Sequence, residues 1–281
     1  MRVLVTGSAG QLGAELVAHC ESTGDDVIAA DRSTLDVGER SAVHGAISML
    51  RPDVVVNTAA WTAVDACESD VDRAYRVNAL GPRWLRESCA DAGAHLVHIS
   101  TDYVFDGTAD RAYREWDEPN PASVYGASKL AGEREVGPDA TVIRTSWVCG
   151  AYGNNMVKTI LRLLERHTSL SFVDDQRGCP TFTADLAPMV RRLAVERRSG
   201  VHHVTNQGDV SWYEFVREVV AEAGHDPAMV EPITTADLDP PRPAPRPANS
   251  VLDNAALRLA DIALLRHHTE PLRELVTELL G

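Results

Sequence analysis

The segment Val3-Leu-Val-Thr-Gly-Ser-Ala-Gly-Gln-Leu-Gly13 decides the fold of this chain. Its first half is an apolar, β-branched run that predicts a buried strand, and its second half places glycines where a helix should begin. Gly7 permits a tight turn, Gly10 lets the backbone approach a pyrophosphate, and Gly13 permits close packing of helix on strand. Because the N–H groups and dipole of a helix N-terminus attract phosphates, the segment predicts a dinucleotide-binding loop.

Outward from this loop, short β-branched runs alternate with longer amphipathic stretches through the first half of the chain. Such alternation is typical of a parallel sheet with helices on both faces. We predict strands at 2–6, 26–30, 54–58, 95–100 and 141–145, and helices at 11–21, 39–50, 70–92 and 124–136. The expected fold is therefore α/β, a Rossmann-type doubly wound parallel sheet with a smaller C-terminal substrate-binding lobe.

After about residue 150 the alternation becomes less regular. We expect residues 1–150 to form the dinucleotide-binding domain and residues 151–281 to be mainly the substrate lobe, with about 184–205 returning to the first domain. A helix-like stretch at 155–165 is followed by further segments at 171–174, 184–197 and 211–223. Five of the fifteen prolines fall within 239–247, which predicts an extended, stiff connection there.

Charge and composition exclude several classes of protein. The formal net charge of -14 and the pI near 5.1 argue against a general binder of nucleic acid or of anionic membranes. The N-terminus enters a predicted strand directly and lacks the apolar stretch of a signal peptide or membrane span. The five cysteines are scattered, with no CxxC pair, and predict free thiols. We expect a cytoplasmic protein, with monomer and homodimer both open.

Two neighbouring residues at the end of the second strand bear on the choice of cofactor. Asp31 offers a carboxylate to a ribose diol and repels an additional phosphate, whereas Arg32 is able to pair with a 2′-phosphate. The two side chains therefore favour different nicotinamide cofactors. We predict that the protein uses NADPH and that NADH is also possible.

Tyr125 and Lys129 form a Tyr-x-x-x-Lys pattern in a predicted helix, where residues four apart share a face. Only two of the 27 basic residues are lysines, so a lysine at this position indicates a specific requirement. A compact ammonium fits beside a phenol and lowers its pKa, whereas a guanidinium is wider and more demanding in geometry. Upstream, residues 98–107 leave a strand at the carboxyl edge of the sheet, where such folds bind ligands.

Two of these segments together, STDYVFDG at 100–107 and VYGASKLAGE at 124–133, resemble the dTDP-4-dehydrorhamnose reductase family of extended short-chain dehydrogenases. The resemblance covers nearly the whole chain, with further similar segments at 60–65, 144–148, 153–155, 173–176, 178–181 and 246–253. Three features depart from the family pattern: Trp61 replaces a smaller aromatic residue or histidine, Cys149 replaces a common tyrosine, and residues 242–246 contain an extra proline. These departures leave the exact sugar open.

The resemblance implies NAD(P)H-dependent reduction of the C4 ketone of dTDP-4-dehydro-L-rhamnose to dTDP-L-rhamnose in deoxysugar biosynthesis. In that reaction Tyr125 is the general acid, Lys129 holds the nicotinamide ribose, and Thr101 orients the carbonyl. The predicted cofactor site comprises Gly7, Gly10, Gln11, Leu12, Gly13, Asp31, Arg32, Asp36, Val37, Ala59, Ala60, Thr62, Tyr125 and Lys129. The predicted substrate site comprises Thr101, Asp102, Tyr103, Trp147, Asn155, Lys158, Arg246 and Asn249.

Other polar residues are further candidates for a role in the site. The candidates to neutralise the substrate diphosphate are Lys158, Arg177, Arg242 and Arg246, and Arg246 is preferred because a stiff proline segment holds it at little ordering cost. Asn78 either orders the catalytic helix, serves a water relay or makes a hydrogen bond inside its own helix. Some relatives bind magnesium between subunits, and Glu15 lies in the corresponding helix, but one carboxylate does not define such a site. We predict no catalytic metal.

Three alternative functions remain open. One is a reductase of a related dTDP-4-keto-6-deoxy sugar or dihydrostreptose-type intermediate in antibiotic biosynthesis. Another is a nucleotide-sugar epimerase, which the family-like segments of the second half disfavour. The third is a non-catalytic regulatory cofactor-binding subunit, similar to that of methionine adenosyltransferase. The presence of Thr101, Tyr125 and Lys129 argues against this third reading, because function resides in the site rather than in the fold.

Overall fold

A six-stranded, fully parallel sheet lies at the centre of the computed structural model, which describes residues 1–281. Its strand order is β10-β5-β4-β3-β1-β2. The twelve strands of the protein are β1 (Arg2–Thr6), β2 (Asp26–Ala30), β3 (Val54–Asn57), β4 (His95–Thr101), β5 (Thr141–Thr145), β6 (Val148–Cys149), β7 (Leu170–Val173), β8 (Arg177–Gly178), β9 (Thr181–Phe182), β10 (Gly200–His203), β11 (Val210–Ser211) and β12 (Val230–Ile233).

Eleven α-helices surround this sheet and build the second lobe. They are α1 (Gln11–Ser22), α2 (Arg40–Leu50), α3 (Val64–Ser69), α4 (Val71–Tyr75), α5 (Gly81–Ala92), α6 (Val124–Val136), α7 (Met156–Leu164), α8 (Thr183–Val195), α9 (Trp212–Glu222), α10 (Ala255–Leu259) and α11 (Thr269–Leu280). No helix combines the length and the apolar composition that crossing a membrane requires.

Alternating side chains of the central strands fill two separate cores. Val3 and Val5 of β1 pack with α1 and α8 on one face, whereas Leu4 packs with α2 and α5 on the other. This division follows from the two-residue period of a strand, which points successive side chains to opposite faces. Both faces of the sheet are therefore covered by helices, and the predicted fold class is confirmed.

A third apolar cluster forms the core of the second lobe. Its members include Val157 and Ile160 of α7, Phe215 of α9 and Leu272 of α11. The short parallel pair of β7 and β12 packs against α9 in this lobe. By contrast, α8 lies against α1, and β10 extends the main sheet beside β5, so residues 183–203 lie with the large sheet.

The segment predicted as one helix at 70–92 contains three pieces. α4 and α5 flank a π-helical turn at Arg76–Leu80, where the backbone widens by one residue. This turn lies against α6 so closely that a Cβ on Gly132 would come within 2.1 Å of the Asn78 carbonyl oxygen. The proline segment 239–247 forms neither helix nor strand, as predicted.

Candidate active site

A cavity of about 740 Å³ opens at the carboxyl ends of β1, β3 and β4. The chain order of the strands reverses at this edge of the sheet, which is where open α/β sheets bind their ligands. The cavity brings together most of the residues that the sequence assigns to a site. They are Gly7, Gly10, Gln11, Leu12, Asp31, Arg32, Asp36, Val37, Ala59, Ala60, Thr62, Thr101, Asp102, Tyr103, Tyr125, Lys129 and Trp147.

The glycine loop has the geometry that a pyrophosphate needs. Gly7 has a φ of +71°, and a Cβ there would lie 2.6 Å from the backbone nitrogen of Ala59. Gly13 lies behind the loop, where a Cβ would meet the Gly7 carbonyl oxygen at 2.3 Å. Gly10 precedes α1, and no side chain caps that helix, so its first N–H groups face the cavity uncapped. The loop fits a dinucleotide.

Asp31 and Arg32 lie at the end of the cavity beyond β2. The Asp31 Oδ1 atom accepts hydrogen bonds from the backbone and hydroxyl of Ser33 and from Thr34, and these bonds, with the Ser33 hydroxyl first, lower the pKa of the carboxyl. Its Oδ2 atom makes no hydrogen bond within the protein and is available to a ribose. The guanidinium of Arg32 forms an exposed ion pair with Asp36, with 3.4 Å between Nε and Oδ2. Such a pair is weak and leaves Arg32 free to turn toward a phosphate.

Helix α6 carries Tyr125 and Lys129 on the face that meets the end of β4. The helix begins after Ser123, whose hydroxyl accepts a hydrogen bond from the backbone of Gly126. A Cβ on Gly126 would lie 2.1 Å from the Tyr103 carbonyl oxygen, so glycine allows the helix to approach the loop after β4. Tyr125 is 8% exposed and Lys129 is 2% exposed. The predicted pair therefore shares one buried face beside Thr101.

Burial is the main influence on the Tyr125 phenol, and it raises the pKa of that group. A hydrogen bond with Thr101 opposes this effect, and the carboxyl of Asp102 reinforces it. The phenol is therefore protonated at neutral pH, which is the form required of an acid. Lys129 was expected to lower this pKa, but burial outweighs any such effect and raises it, and the Lys129 Nζ atom donates to the Ile99 carbonyl oxygen at 2.6 Å.

Asp102 contributes a second buried acid to the cavity wall. It is 3% exposed, and burial raises the pKa of its carboxyl to about 6, although the hydroxyls of Ser250 and Thr101 act in the opposite direction. The Thr101 hydroxyl lies 2.9 Å from Oδ1, whereas Oδ2 has no hydrogen-bond partner. An unpartnered acceptor at this depth is suited to a hydroxyl of a ligand.

Aromatic side chains form one wall of the cavity. Trp147 has a φ of +46°, a strained conformation for a bulky residue, and its ring stacks on Trp212 at 3.6 Å between centroids. A Cβ on Gly178 would lie 2.5 Å from the Trp147 ring, so this glycine makes room for the stack. Trp212 was not predicted to be a site residue. Its only local signal is an aromatic residue directly after the helix cap Ser211.

Arg73 is a second cavity residue that no sequence motif indicates. Its guanidinium lies 4.4 Å from the centroid of the Trp61 ring, and both side chains line the cavity. No carboxylate pairs with Arg73, so its charge is available to an anionic ligand. Trp61, one of the three departures from the family pattern, thus stabilises the Arg73 guanidinium through a cation–π contact.

Four predicted substrate residues lie outside the cavity wall and bind other parts of the protein. The Lys158 ammonium donates to the carbonyl oxygens of Ala151 and Gly153, and Asn155 caps α7 while donating to Gly150. The Asn249 amide donates to the carbonyl oxygens of two residues of another loop, Ala109 and Arg111. These three side chains therefore order loops.

Arg246 is the fourth of these residues. Both of its terminal nitrogens bond to Asp65, with 2.8 Å between Nη2 and Oδ2, and its charge acts on the phenol of Tyr103. Arg177, another candidate for the diphosphate, pairs with Asp209 and Glu214. Both cations are thus neutralised by carboxylates of the protein, which weakens the argument that they bind a diphosphate.

Two further polar residues named from the sequence, Asn78 and Glu15, make contacts within the protein. The amide of Asn78 binds the backbone of Trp61 and donates to the Ser128 hydroxyl, so it links the loop after β3 to α6. This arrangement corresponds to the ordering role. Glu15 accepts a hydrogen bond from Thr183, and no group of three or more His, Cys, Asp or Glu side chains is placed to hold a metal ion.

The chain is similar to known proteins along its whole length. The RmlD substrate binding domain family matches residues 1–280. A dTDP-4-dehydrorhamnose reductase of Streptomyces griseus is 43% identical, with 100% of this chain and 94% of the relative covered. The crystal structure of a dTDP-4-dehydrorhamnose reductase from Clostridium acetobutylicum superposes with a TM-score of 0.96 at 42% identity, covering 100% of both chains.

A second solved structure, a dTDP-4-dehydrorhamnose reductase of Bacillus anthracis in complex with NADP, has a TM-score of 0.94 at 37% identity and covers 99% of both chains. The sequence and the structure of this chain are thus both similar to members of one family along its full length, and the family prediction is confirmed. This protein belongs to the dTDP-4-dehydrorhamnose reductase family of oxidoreductases.

Proposed function

We propose that this protein reduces the C4 ketone of dTDP-4-dehydro-L-rhamnose to a hydroxyl, giving dTDP-L-rhamnose, and that it uses NADPH, with NADH also accepted. The observation that carries this proposal is the shared buried face of Tyr125 and Lys129 beside Thr101, in the same cavity as the glycine loop. A reduction of this kind needs a hydride donor and a proton donor in one crevice.

Each residue of the cavity has a proposed task. When bound at the glycine loop, the nicotinamide cofactor supplies the hydride for the ketone carbon. Tyr125 gives its phenolic proton to the ketone oxygen, and Thr101 orients that oxygen by a hydrogen bond. Lys129 binds the ribose next to the nicotinamide and stabilises the phenolate that remains. The high pKa of the buried phenol keeps its proton in place until a ligand arrives.

The substrate is proposed to lie between the catalytic residues and the aromatic wall. The stacked rings of Trp147 and Trp212 offer an apolar surface to a deoxy sugar, and the unpartnered Oδ2 atom of Asp102 accepts from a sugar hydroxyl. Arg73 replaces Lys158 and Arg246 as our candidate for a diphosphate contact, because it lines the cavity and pairs with no carboxylate.

We also propose that residues 151–281 are mainly the substrate lobe, with about 184–205 belonging to the cofactor domain.

The assay that tests this function supplies purified protein with NADPH and a panel of dTDP-linked 4-keto-6-deoxy sugars. We expect stoichiometric oxidation of NADPH and fastest turnover with dTDP-4-dehydro-L-rhamnose. Faster turnover of another member of the panel would assign the protein to a related reductase of antibiotic biosynthesis. Product without consumption of cofactor indicates an epimerase, and cofactor binding without any turnover favours the regulatory subunit.

The five unpaired, buried cysteines support a reducing compartment such as the cytoplasm.

Replacing Arg32 by serine is expected to change the choice of cofactor. The variant loses the cation that pairs with a 2′-phosphate but keeps the Asp31 carboxylate, so KM for NADPH should rise about tenfold, while KM for NADH changes little. Steady-state kinetics with both cofactors measure the effect. Arg83→Ser, which removes an exposed arginine paired with Glu135 and remote from the cavity, is the matched control. An equal change in both KM values would show that Arg32 does not recognise the phosphate.

A further inference from the structure

Three buried polar side chains form a row across the main sheet next to the cavity. Thr6 on β1, Asn57 on β3 and His98 on β4 are register partners, and none of them is more than 1% exposed. A valine precedes each of the three residues along its strand. Burial of a polar side chain costs free energy unless the group is hydrogen-bonded. The hydrogen bonds of these three side chains therefore indicate their role.

The hydrogen bonds of Asn57 fix the orientation of its amide. Its Oδ1 atom lies 3.2 Å from the backbone nitrogen of Ala59 and 2.7 Å from the Thr6 hydroxyl. A backbone N–H only donates, so this amide atom is the acceptor, and the other is the Nδ2 donor. Nδ2 lies 3.0 Å from the Nδ1 atom of His98, which must therefore accept. A neutral His98 then carries its proton on Nε2.

The Nε2 atom of His98 lies 3.5 Å from the Nζ atom of Lys129. An ammonium has no lone pair with which to accept an N–H, whereas an amine has one. The amine form of Lys129 would thus satisfy both neighbours, because it donates to the Ile99 carbonyl oxygen at 2.6 Å and accepts from His98. In the ammonium form, the positively charged Nζ atom faces the partly positive hydrogen of the His98 Nε2–H, and the two repel each other.

Glu133 lies four residues after Lys129 on the same helix, and Tyr125 and Asp102 line the same cavity as Lys129. Burial lowers the pKa of Lys129 to about 8, and Glu133 opposes that effect, although Arg144 and Ser100 also bind the Glu133 carboxylate. Burial and the charge of Lys129 lower the pKa of His98 well below its usual value, so the imidazole is neutral at physiological pH. The N–H that faces Lys129 is therefore a permanent feature of the site.

We propose that the Thr6–Asn57–His98 row presents the His98 Nε2–H to Lys129 and thereby sets the pH range in which this lysine is charged. His98 is then a positioning residue that acts through Lys129. The effect on turnover rests on the proposed function, since it requires a charged Lys129 during reduction. The effect on the lysine itself does not depend on any substrate.

The small number of lysines makes a direct test possible. Protein labelled with ¹³C at the lysine ε carbon gives two NMR signals, from Lys129 and Lys158, and Lys158→Arg identifies them. In the ligand-free protein we expect Lys129 to titrate near pH 8. His98→Leu removes the facing N–H and should raise the midpoint by about one pH unit. His98→Gln places an amide N–H near the position of Nε2 and should change the Lys129 midpoint by only about 0.3 pH unit. An unchanged or lowered midpoint in His98→Leu would overturn the proposal.

Two further measurements keep the test independent of how well His98→Leu folds. The ¹⁵N spectrum of the wild-type imidazole should show His98 with its proton on Nε2, and a proton on Nδ1 would refute the row. In kcat/KM for the 4-keto sugar, the loss of activity at high pH should move upward in His98→Leu but not in His98→Gln. If the wild-type protein reduces no keto sugar, the proposed function fails, while the two NMR measurements still decide whether the row acts on Lys129.

Discussion

Tyr125→Phe is expected to lower kcat by about 10²–10⁴-fold while the fold and cofactor binding are retained. The substitution removes only the phenolic oxygen, which is the proposed proton donor, and keeps the ring that packs with Cys67 and Ala74. The Thr101 hydroxyl donates to Asp102 at 2.9 Å and is not left unpaired by the substitution, so little folding energy is lost. Rates under saturating NADPH and keto sugar measure the loss of kcat. Thermal unfolding checks that the fold is retained, and cofactor titration checks that cofactor binding is retained.

Tyr103→Phe provides the matched control for this prediction. The Tyr103 ring lies 5.5 Å from the Tyr125 ring, centroid to centroid, and it is also a cavity residue with a raised pKa, caused mainly by burial. Tyr103 lies outside the Tyr-x-x-x-Lys pair, so its variant should retain kcat within about tenfold. If Tyr125→Phe had wild-type kcat and Tyr103→Phe lost most of it, the role of proton donor would pass to Tyr103.

Local sequence patterns predicted the elements that hold the cofactor. The boundaries of β1, β2 and β5 agree with the prediction, since each is a short β-branched run between turn residues or helices. Helix α6 also has its predicted bounds, which is why the spacing of Tyr125 and Lys129 led to their common face. The π-helical turn at Arg76–Leu80 escaped prediction because contact with α6 shapes it, and no local pattern records that contact.

The substrate side was harder to predict because its side chains are paired over long distances in the sequence. Arg246 is bound by Asp65, 181 residues away, and Asn249 is bound by carbonyl groups at 109 and 111. Trp212 and Trp147 form their stack from separate segments of the chain, and Arg73 lies in a helix with no recognisable motif. The family resemblance indicated Trp147, Arg246 and Asn249 but not Trp212 or Arg73, because only the tertiary fold determines which side chains face the cavity.

The environment of Lys129 has one physical property that the sequence does not reveal. The scarcity of lysine drew attention to position 129, where the ammonium was expected to lower the pKa of Tyr125. In the folded chain Lys129 is fully enclosed and bonded to Ile99, and its own pKa falls to about 8 because of burial. Desolvation is a property of depth in the fold, which a helical spacing does not reveal.

Glu133→Ala is expected to destabilise the protein by about 3–5 kcal/mol, because it leaves a buried cation without its partner. Glu133 and Arg144 have side chains that are 6% and 4% exposed, and the Arg144 Nη2 atom lies 2.7 Å from Oε2. After the substitution Arg144 retains only His203 at 3.5 Å and the Phe105 ring at 5.1 Å. Neither replaces a carboxylate, so the midpoint of thermal unfolding should fall by roughly 10 °C.

Glu135→Ala on the same helix is the matched control, since its carboxylate pairs with Arg83 at the surface, where such pairs contribute about 0–1 kcal/mol. The double variant Glu133→Leu with Arg144→Met tests the cause, because it removes both charges and fills the space with apolar groups. We expect it to recover much of the stability lost in Glu133→Ala, as buried ion pairs often tolerate apolar replacement. If the double variant were as unstable as the sum of its single variants, the loss would come from packing, and the unpaired charge of Arg144 would not be its cause.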